Sequence, residues 1–220
     1  MLYRIWWITL VPLIRAYWRV RVVGARHVRG RRGMIIASNH QSGIDPILVC
    51  ASFWRHVYWL AKIELVITKK VAWFFKSVAV IPVDRHAPKD VSLQAAADCV
   101  RRGRIFGIYP EGTRSPDENL YRGHTGVARV AHLSGGPVIP TAVVGSRRAC
   151  PKGKLLIRPY RCEVRFGEPM TLVIKPGETE AAAYRRFTDE VMRAIASLAG
   201  TRYVDDVYSG DAARIEKLAS

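Results

Sequence analysis

The sequence predicts an α/β fold, a mostly parallel sheet flanked by helices, preceded by an amphipathic helical segment suited to docking on a membrane. Three observations carry this prediction. From residue 34 to residue 200, short β-rich runs alternate with stretches of helical periodicity, the pattern of parallel strands joined by crossover helices. The 220 residues are 49% hydrophobic and 24% charged, enough for one well-packed domain and too apolar for disorder. The first 30 residues differ in character, mixing tryptophans, aliphatics and arginines. The expected division is therefore an N-terminal docking segment over 1–30, an α/β domain over 31–200 and a C-terminal tail over 201–220.

In the N-terminal segment the uninterrupted apolar stretch IWWITLVPLI is about 15 Å long as a helix, half of a hydrocarbon core, so it cannot span a bilayer alone. At helical spacing Trp6, Leu10, Leu13 and Tyr17 form one ridge, and Trp7, Val11, Ile14 and Trp18 an adjacent one. Arg4, Arg15 and Arg19 lie with Ile8 on another side, as in an interfacial helix with cations at the headgroups. The same pattern also fits a helix docked on the protein's own core. Pro12 is expected to kink or divide it. Arginines follow the apolar run and no small-residue cleavage site does, which is unlike a signal peptide. The expected location is the cytoplasmic face of the cell membrane, bound there as a monotopic or peripheral protein.

Strands are expected at 34–39, 57–62, 78–83, 104–110, 137–144 and 162–167, each β-branched or aromatic and bounded by turn residues. Helices are expected at 46–54, 64–76, 88–102, 123–134 and 180–200. In the second of these, Ile67, Val71, Phe74 and Phe75 share a face while Lys62, Lys69 and Lys76 recur on another. This suits a second interfacial element or a core helix equally. The residues after 200 have weak periodicity and read as a surface tail or short helix.

Lysine and arginine number 35 against 18 acidic residues, a net charge of +17, which implies polyanionic company: anionic lipid, phosphorylated substrate or nucleic acid. No groove-reading or RNA-binding signature accompanies the charge, and nucleic acid is not the expected partner. The four cysteines are widely spaced, so neither a zinc site nor a disulfide framework is expected, and no metal or cofactor is. A G-x-S-x-G elbow is absent, which argues against a serine hydrolase. Nothing in the linear sequence sets the oligomeric state.

Two compact clusters can carry chemistry. NHQSGIDP, residues 39–46, follows an apolar run and places His40 five residues before Asp45. Asp-Pro before ILVCASFW also reads as a helix start, with Asp45 as N-cap and Pro46 at the first helical position. YPEGTRSPD, residues 109–117, follows the run RIFGI. There the Gly112 and Thr113 backbone and the Arg114 guanidinium suit an anion. Arg85 follows a third strand, VAVIPV. Ligands of open α/β sheets bind beyond the carboxyl ends of strands, so these clusters can meet on one edge.

Together these stretches resemble the glycerolipid acyltransferase family typified by bacterial 1-acyl-glycerol-3-phosphate acyltransferases. NHQSGIDP, VAVIPVDR, YPEGTRS and GGPVIPTAVVG match its four blocks in the family's order, and the similarity runs from about residue 20 to residue 170. AKIEL resembles a lysine-bearing segment between the first two blocks. Ser77 departs from the glycine often found at the start of the second.

The resemblance implies transfer of a fatty acyl group from acyl-CoA or acyl carrier protein, a substrate and not a cofactor, to the hydroxyl of lysophosphatidic acid. His40 would be the base and Asp45 its partner. Arg85 and Arg114, with the Gly112 and Thr113 backbone, would hold the phosphate. Glu111 would order the glycerol hydroxyl or the loop, and Lys62 would be a further contributor to the anion site. Glycerol-3-phosphate, another lysophospholipid or a glycolipid are alternative acceptors within the same class.

Overall fold

The computed structural model describes residues 2–53, 55–62, 80–83, 89–151 and 157–208. Helix α1 (Leu2–Tyr17) leads into strand β1 (Arg21–Val23), a 3-10 turn (Ala25–His27) and β2 (Met34–Ser38). Then follow α2 (Asp45–Ala51), β3 (Val57–Lys62), β4 (Val80–Val83), α3 (Lys89–Arg101) and β5 (Ile105–Ile108). The chain continues through β6 (Leu120–Tyr121), α4 (Gly126–Ser134), β7 (Val138–Val144) and the short α5 (Ser146–Ala149). It ends with β8 (Glu163–Phe166), α6 (Glu180–Ala199) and β9 (Tyr203–Val204).

Seven strands form the main sheet in the order β1-β8-β7-β2-β5-β3-β4. Its neighbours are parallel except β7 and β8. β2 lies centrally with all five residues buried, because alternate side chains enter opposite faces of a sheet covered on both sides. Met34 and Ile36 join Val11, Trp18, Leu48 and Val49 on the face of α1 and α2. Ile35 and Ala37 join Leu93, Val130, Phe187 and Ile195 on the face of α3, α4 and α6. Each fully buried large aliphatic or aromatic side chain stabilises by about 1.5–3 kcal/mol.

Helix α6 shows how sequence stops and starts an element. Thr179 caps it by accepting a hydrogen bond from Ala182 N at 3.3 Å, and Gly200 ends it in the left-handed region at φ 68°, where a side chain would be strained. Its apolar face buries Ala183, Phe187, Val191, Met192 and Ile195.

Several elements differ from the sequence expectation. Residues 21–23, placed in the docking segment, pair with Glu163–Arg165, so the sheet reaches across residue 30. Residues 203–204, placed in the tail, pair with Leu120–Tyr121 in a second small sheet. Both additions are two or three residues long, too short for period-two alternation to register. Pro12 lies inside α1 without dividing it. The helix expected at 64–76 lies outside the described residues.

In α1 Val11 and Ile14, with Trp18 just after the helix, pack on the core. Ile8, Leu13 and Tyr17 are exposed. No helix among the described residues is long and apolar enough to cross a membrane.

Candidate active site

The site is built at the carboxyl end of β2, where the chain leaves the sheet beside β5 and β7. Asn39 fixes the point of departure. Its amide donates to Val143 O at 3.0 Å and its carbonyl accepts from Val143 N at 2.7 Å, so the side chain acts as one more rung between β2 and β7. The next residue, His40, is thereby set just past a rigid strand end.

Asp45 is fully buried. Its Oδ2 accepts from Gln41 N at 2.7 Å, Ser42 N at 2.8 Å and the His40 ring at Nδ1, 3.0 Å away. This corrects the helix-cap expectation. Ile44 is the N-cap, with αR backbone angles of φ −88° and ψ −6°. Asp45 is thus already inside the helix, and its carboxylate reaches back into the loop. The peptide N–H groups of that loop converge on the oxygen as in an anion-binding nest. A carboxylate only accepts, so Nδ1 is the protonated ring nitrogen and Nε2 the basic one.

The imidazole also rests on an aromatic stack that motif reading did not identify. His40 lies on Tyr109 with ring centroids 4.0 Å apart and planes 15° from parallel. Tyr109 lies on Trp59 at 4.7 Å and 12°. Gly107 makes room for this. It faces Trp59 across the β3–β5 ladder, and a Cβ there would stand 2.6 Å from the indole. Burial, and then the nearby Asp45 and Cys50, push the Tyr109 hydroxyl well above its ordinary pKa, so it stays neutral.

The second loop grips the first through its main chain. Glu111 Oε2 accepts from His40 N at 3.0 Å and Oε1 from Tyr121 N at 3.3 Å, while Ser115 N donates to His40 O at 2.9 Å. Burial pushes the Glu111 carboxyl up to about 7 against the opposing pull of those two N–H donors. Through these bonds the Glu111 carboxylate ties the first loop to the chain at Tyr121. Arg147, just after β7, donates to the carbonyls of Ser115, Pro116 and Asp117 and holds the outer part of the loop. Ser42 and Ser115 bond to main-chain carbonyls of Cys150 and of Asp117 and Asn119.

Arg114 is half-buried over the first loop, its Nη1 3.9 Å from where a Gly43 Cβ would stand. Gly112, at φ 71°, makes the turn beside it, and Thr113 is half-buried. The structure thus brings His40, Asp45, Glu111 and Arg114 together with the Gly112–Thr113 turn. Lys62 ends β3 at its carboxyl edge, and Arg85 lies outside the described residues. Among the described residues no cluster of three or more His, Cys, Asp or Glu could hold a metal ion.

Residues 19–144, more than half of the chain, match the family described as acyltransferase. The chain belongs to the acyltransferase family. The matched span of this acyltransferase contains both loops and ends with the last residue of β7. A 1-acyl-sn-glycerol-3-phosphate acyltransferase of Bacillus subtilis is 29% identical over 153 residues, 69% of this chain and 73% of the relative. One from Pseudomonas aeruginosa is 31% identical over 137 residues, 58% of this chain and 53% of the relative. The crystal structure of the 1-acyl-sn-glycerophosphate (LPA) acyltransferase from Thermotoga maritima aligns with a TM-score of 0.66 and 26% identity, covering 86% of this chain and 79% of that one.

Proposed function

We propose that this acyltransferase moves a fatty acyl group from a thioester donor to the free hydroxyl of 1-acyl-glycerol-3-phosphate, giving phosphatidic acid. The observation that carries the reading is the 3.0 Å contact between His40 Nδ1 and a fully buried Asp45 carboxylate. An alcohol is a poor nucleophile at neutral pH and needs a base whose pKa lies near working pH, which histidine supplies. Nε2 takes the hydroxyl proton as the oxygen attacks the thioester carbonyl. The tetrahedral intermediate expels the thiolate, which takes the proton back from the imidazolium. Asp45 and the π face of Tyr109 both stabilise that imidazolium while it exists. A thiolate leaves readily, so the mechanism has no acyl-enzyme.

Arg85 and Arg114, with the Gly112–Thr113 turn, hold the acceptor's phosphate, and Lys62 is a further contributor. Support for a lipid acceptor comes from α1, whose Ile8 and Leu13 are exposed and whose Leu10, Leu13 and Ile14 line an apolar groove with Ile157. We place this surface and the +17 charge against anionic lipid at the cytoplasmic face of the membrane.

The test supplies labelled acyl-CoA with lysophosphatidate, glycerol-3-phosphate, lysophospholipids with substituted headgroups or a glycolipid. Preferential acylation of lysophosphatidate is expected. Equal or better use of a headgroup-substituted lysophospholipid contradicts a phosphomonoester site.

A further inference from the structure

The turn that carries Gly112 and Arg114 has a neighbour lying outside both motif loops. His124 comes between β6 and α4, and its imidazole lies along Gly112. A Cβ on Gly112 would stand 3.1 Å from the ring's Cδ2 and 3.4 Å from its Nε2. The ring thus occupies the flank that Gly112, at φ 71°, leaves bare.

The main chain around this histidine is fixed from two sides. Gly112 N donates to Tyr109 O to close the turn, and His124 N donates at 2.8 Å to Pro110 O inside it. Behind it, Gly123 O accepts from Arg185 Nη1 at 2.8 Å, and Arg185 is itself held by Asp189 on α6. Gly123 is wedged between the two: a Cβ there would stand 2.9 Å from Pro110 Cβ and from Met192 Sδ. The side chain contrasts with this locked backbone. His124 is exposed, and among the described residues its imidazole takes part in no hydrogen bond, ion pair or ring contact. A polar ring held in place beside an anion-binding turn, with its hydrogen-bonding capacity unused, is preorganised for a ligand.

We propose that His124 is a specificity-determining residue that reads the third terminal oxygen of the acceptor's phosphate. The proposal rests on the reading above, in which a phosphomonoester sits at Arg114 and the Gly112–Thr113 turn. A phosphomonoester offers three strong acceptor oxygens, whereas in a lysophospholipid with a substituted headgroup one of them is an ester oxygen. The planar Arg114 guanidinium suits two oxygens at once. A ring nitrogen of His124, reaching along Gly112, donates to the third. In the diester that oxygen is a poor acceptor and its substituent meets the imidazole. A site that hydrogen-bonds one substrate group rejects the analogue lacking it, so His124 turns phosphate binding into a choice of headgroup.

The test is calorimetric binding of two probes that lack the hydroxyl to be acylated, a short-chain acyl-propanediol phosphate and the methyl ester of that phosphate. Wild type, His124→Ala and Arg114→Ala are compared. The His124 ring is exposed, and thermal melting checks that each variant folds. Wild type should prefer the monoester by about tenfold or more. His124→Ala should lose most of that preference by weakening the monoester about tenfold with little change for the methyl ester. In turnover, lysophosphatidate KM should rise in His124→Ala while acyl-CoA KM stays near wild type. An unchanged monoester Kd, or equal weakening of both probes as a merely structural role would give, overturns the assignment. Arg114→Ala separates the two levels of the argument. A weaker monoester Kd there with no effect in His124→Ala removes His124 alone. No effect in either variant, or wild type binding both probes equally, sinks the phosphomonoester reading with it.

Discussion

At the scale of single residues the site depends on one carboxylate oxygen. Asp45 Oδ2 gathers two peptide N–H groups and the His40 ring, so Asp45→Asn keeps the shape but removes the charge that selects the productive tautomer. A fall in kcat of roughly a thousandfold or more is expected, measured with the variant's melting temperature near wild type. Arg114→Ala should raise acceptor KM by about 10- to 100-fold, the equivalent of losing a charge-assisted hydrogen bond of about 1.5–3 kcal/mol, with donor KM little changed. Glu111 supplies a pH signature. Burial raises its pKa in the folded protein to about 7 from an ordinary value of 4.5. The folded state therefore binds the proton more tightly than the unfolded state does. Its contribution to stability is full below pH 4.5, is lost as pH rises toward 7 and is flat above. Denaturant melts of wild type and Glu111→Gln across pH 4.5–7.5 should show that downward slope only in wild type.

At the scale of elements, the two motif loops work because each is bound to a strand end and to the other. Asn39 fastens the first to β7, Glu111 and Ser115 fasten the second to the first, and Arg147 holds the carbonyls of 115–117. Arg147→Ala leaves those carbonyls without their donor and should cost about 1–3 kcal/mol of stability and lower kcat, both measurable on one preparation. The pairing of His40 with Asp45 and the order of the main elements were legible in the sequence. A histidine and aspartate five residues apart after an apolar run declare themselves, and the runs at 34–39, 57–62 and 137–144 fall on β2, β3 and β7. The aromatic stack was not, although Tyr109 and Gly107 stood in quoted runs. A glycine opposite a tryptophan has meaning only once β3 and β5 are paired in register, and that pairing is a tertiary fact. The position of Asp45 was misread for a similar reason. Asp-Pro is a strong helix-start signal, but the turn at Ile44 begins the helix one residue earlier and sends the carboxylate backward.

At the scale of the whole molecule, the sheet gathers the motif loops at one edge, while α1 gives one ridge to the core and leaves another facing outward. Leu13, 65% exposed, is the position at which to test membrane docking. Leu13→Glu should lower sedimentation with anionic vesicles without lowering thermal stability, since it removes no core contact. The proposed reading is acyl transfer to the hydroxyl of a phosphorylated lipid with His40 as the base. The most direct measurement is the rate of phosphatidate formation from lysophosphatidate and acyl-CoA by wild type and by His40→Ala, each verified as folded and equally bound to vesicles. The account predicts product from wild type and loss of essentially all turnover in His40→Ala. Turnover near the wild-type rate in the variant would contradict it.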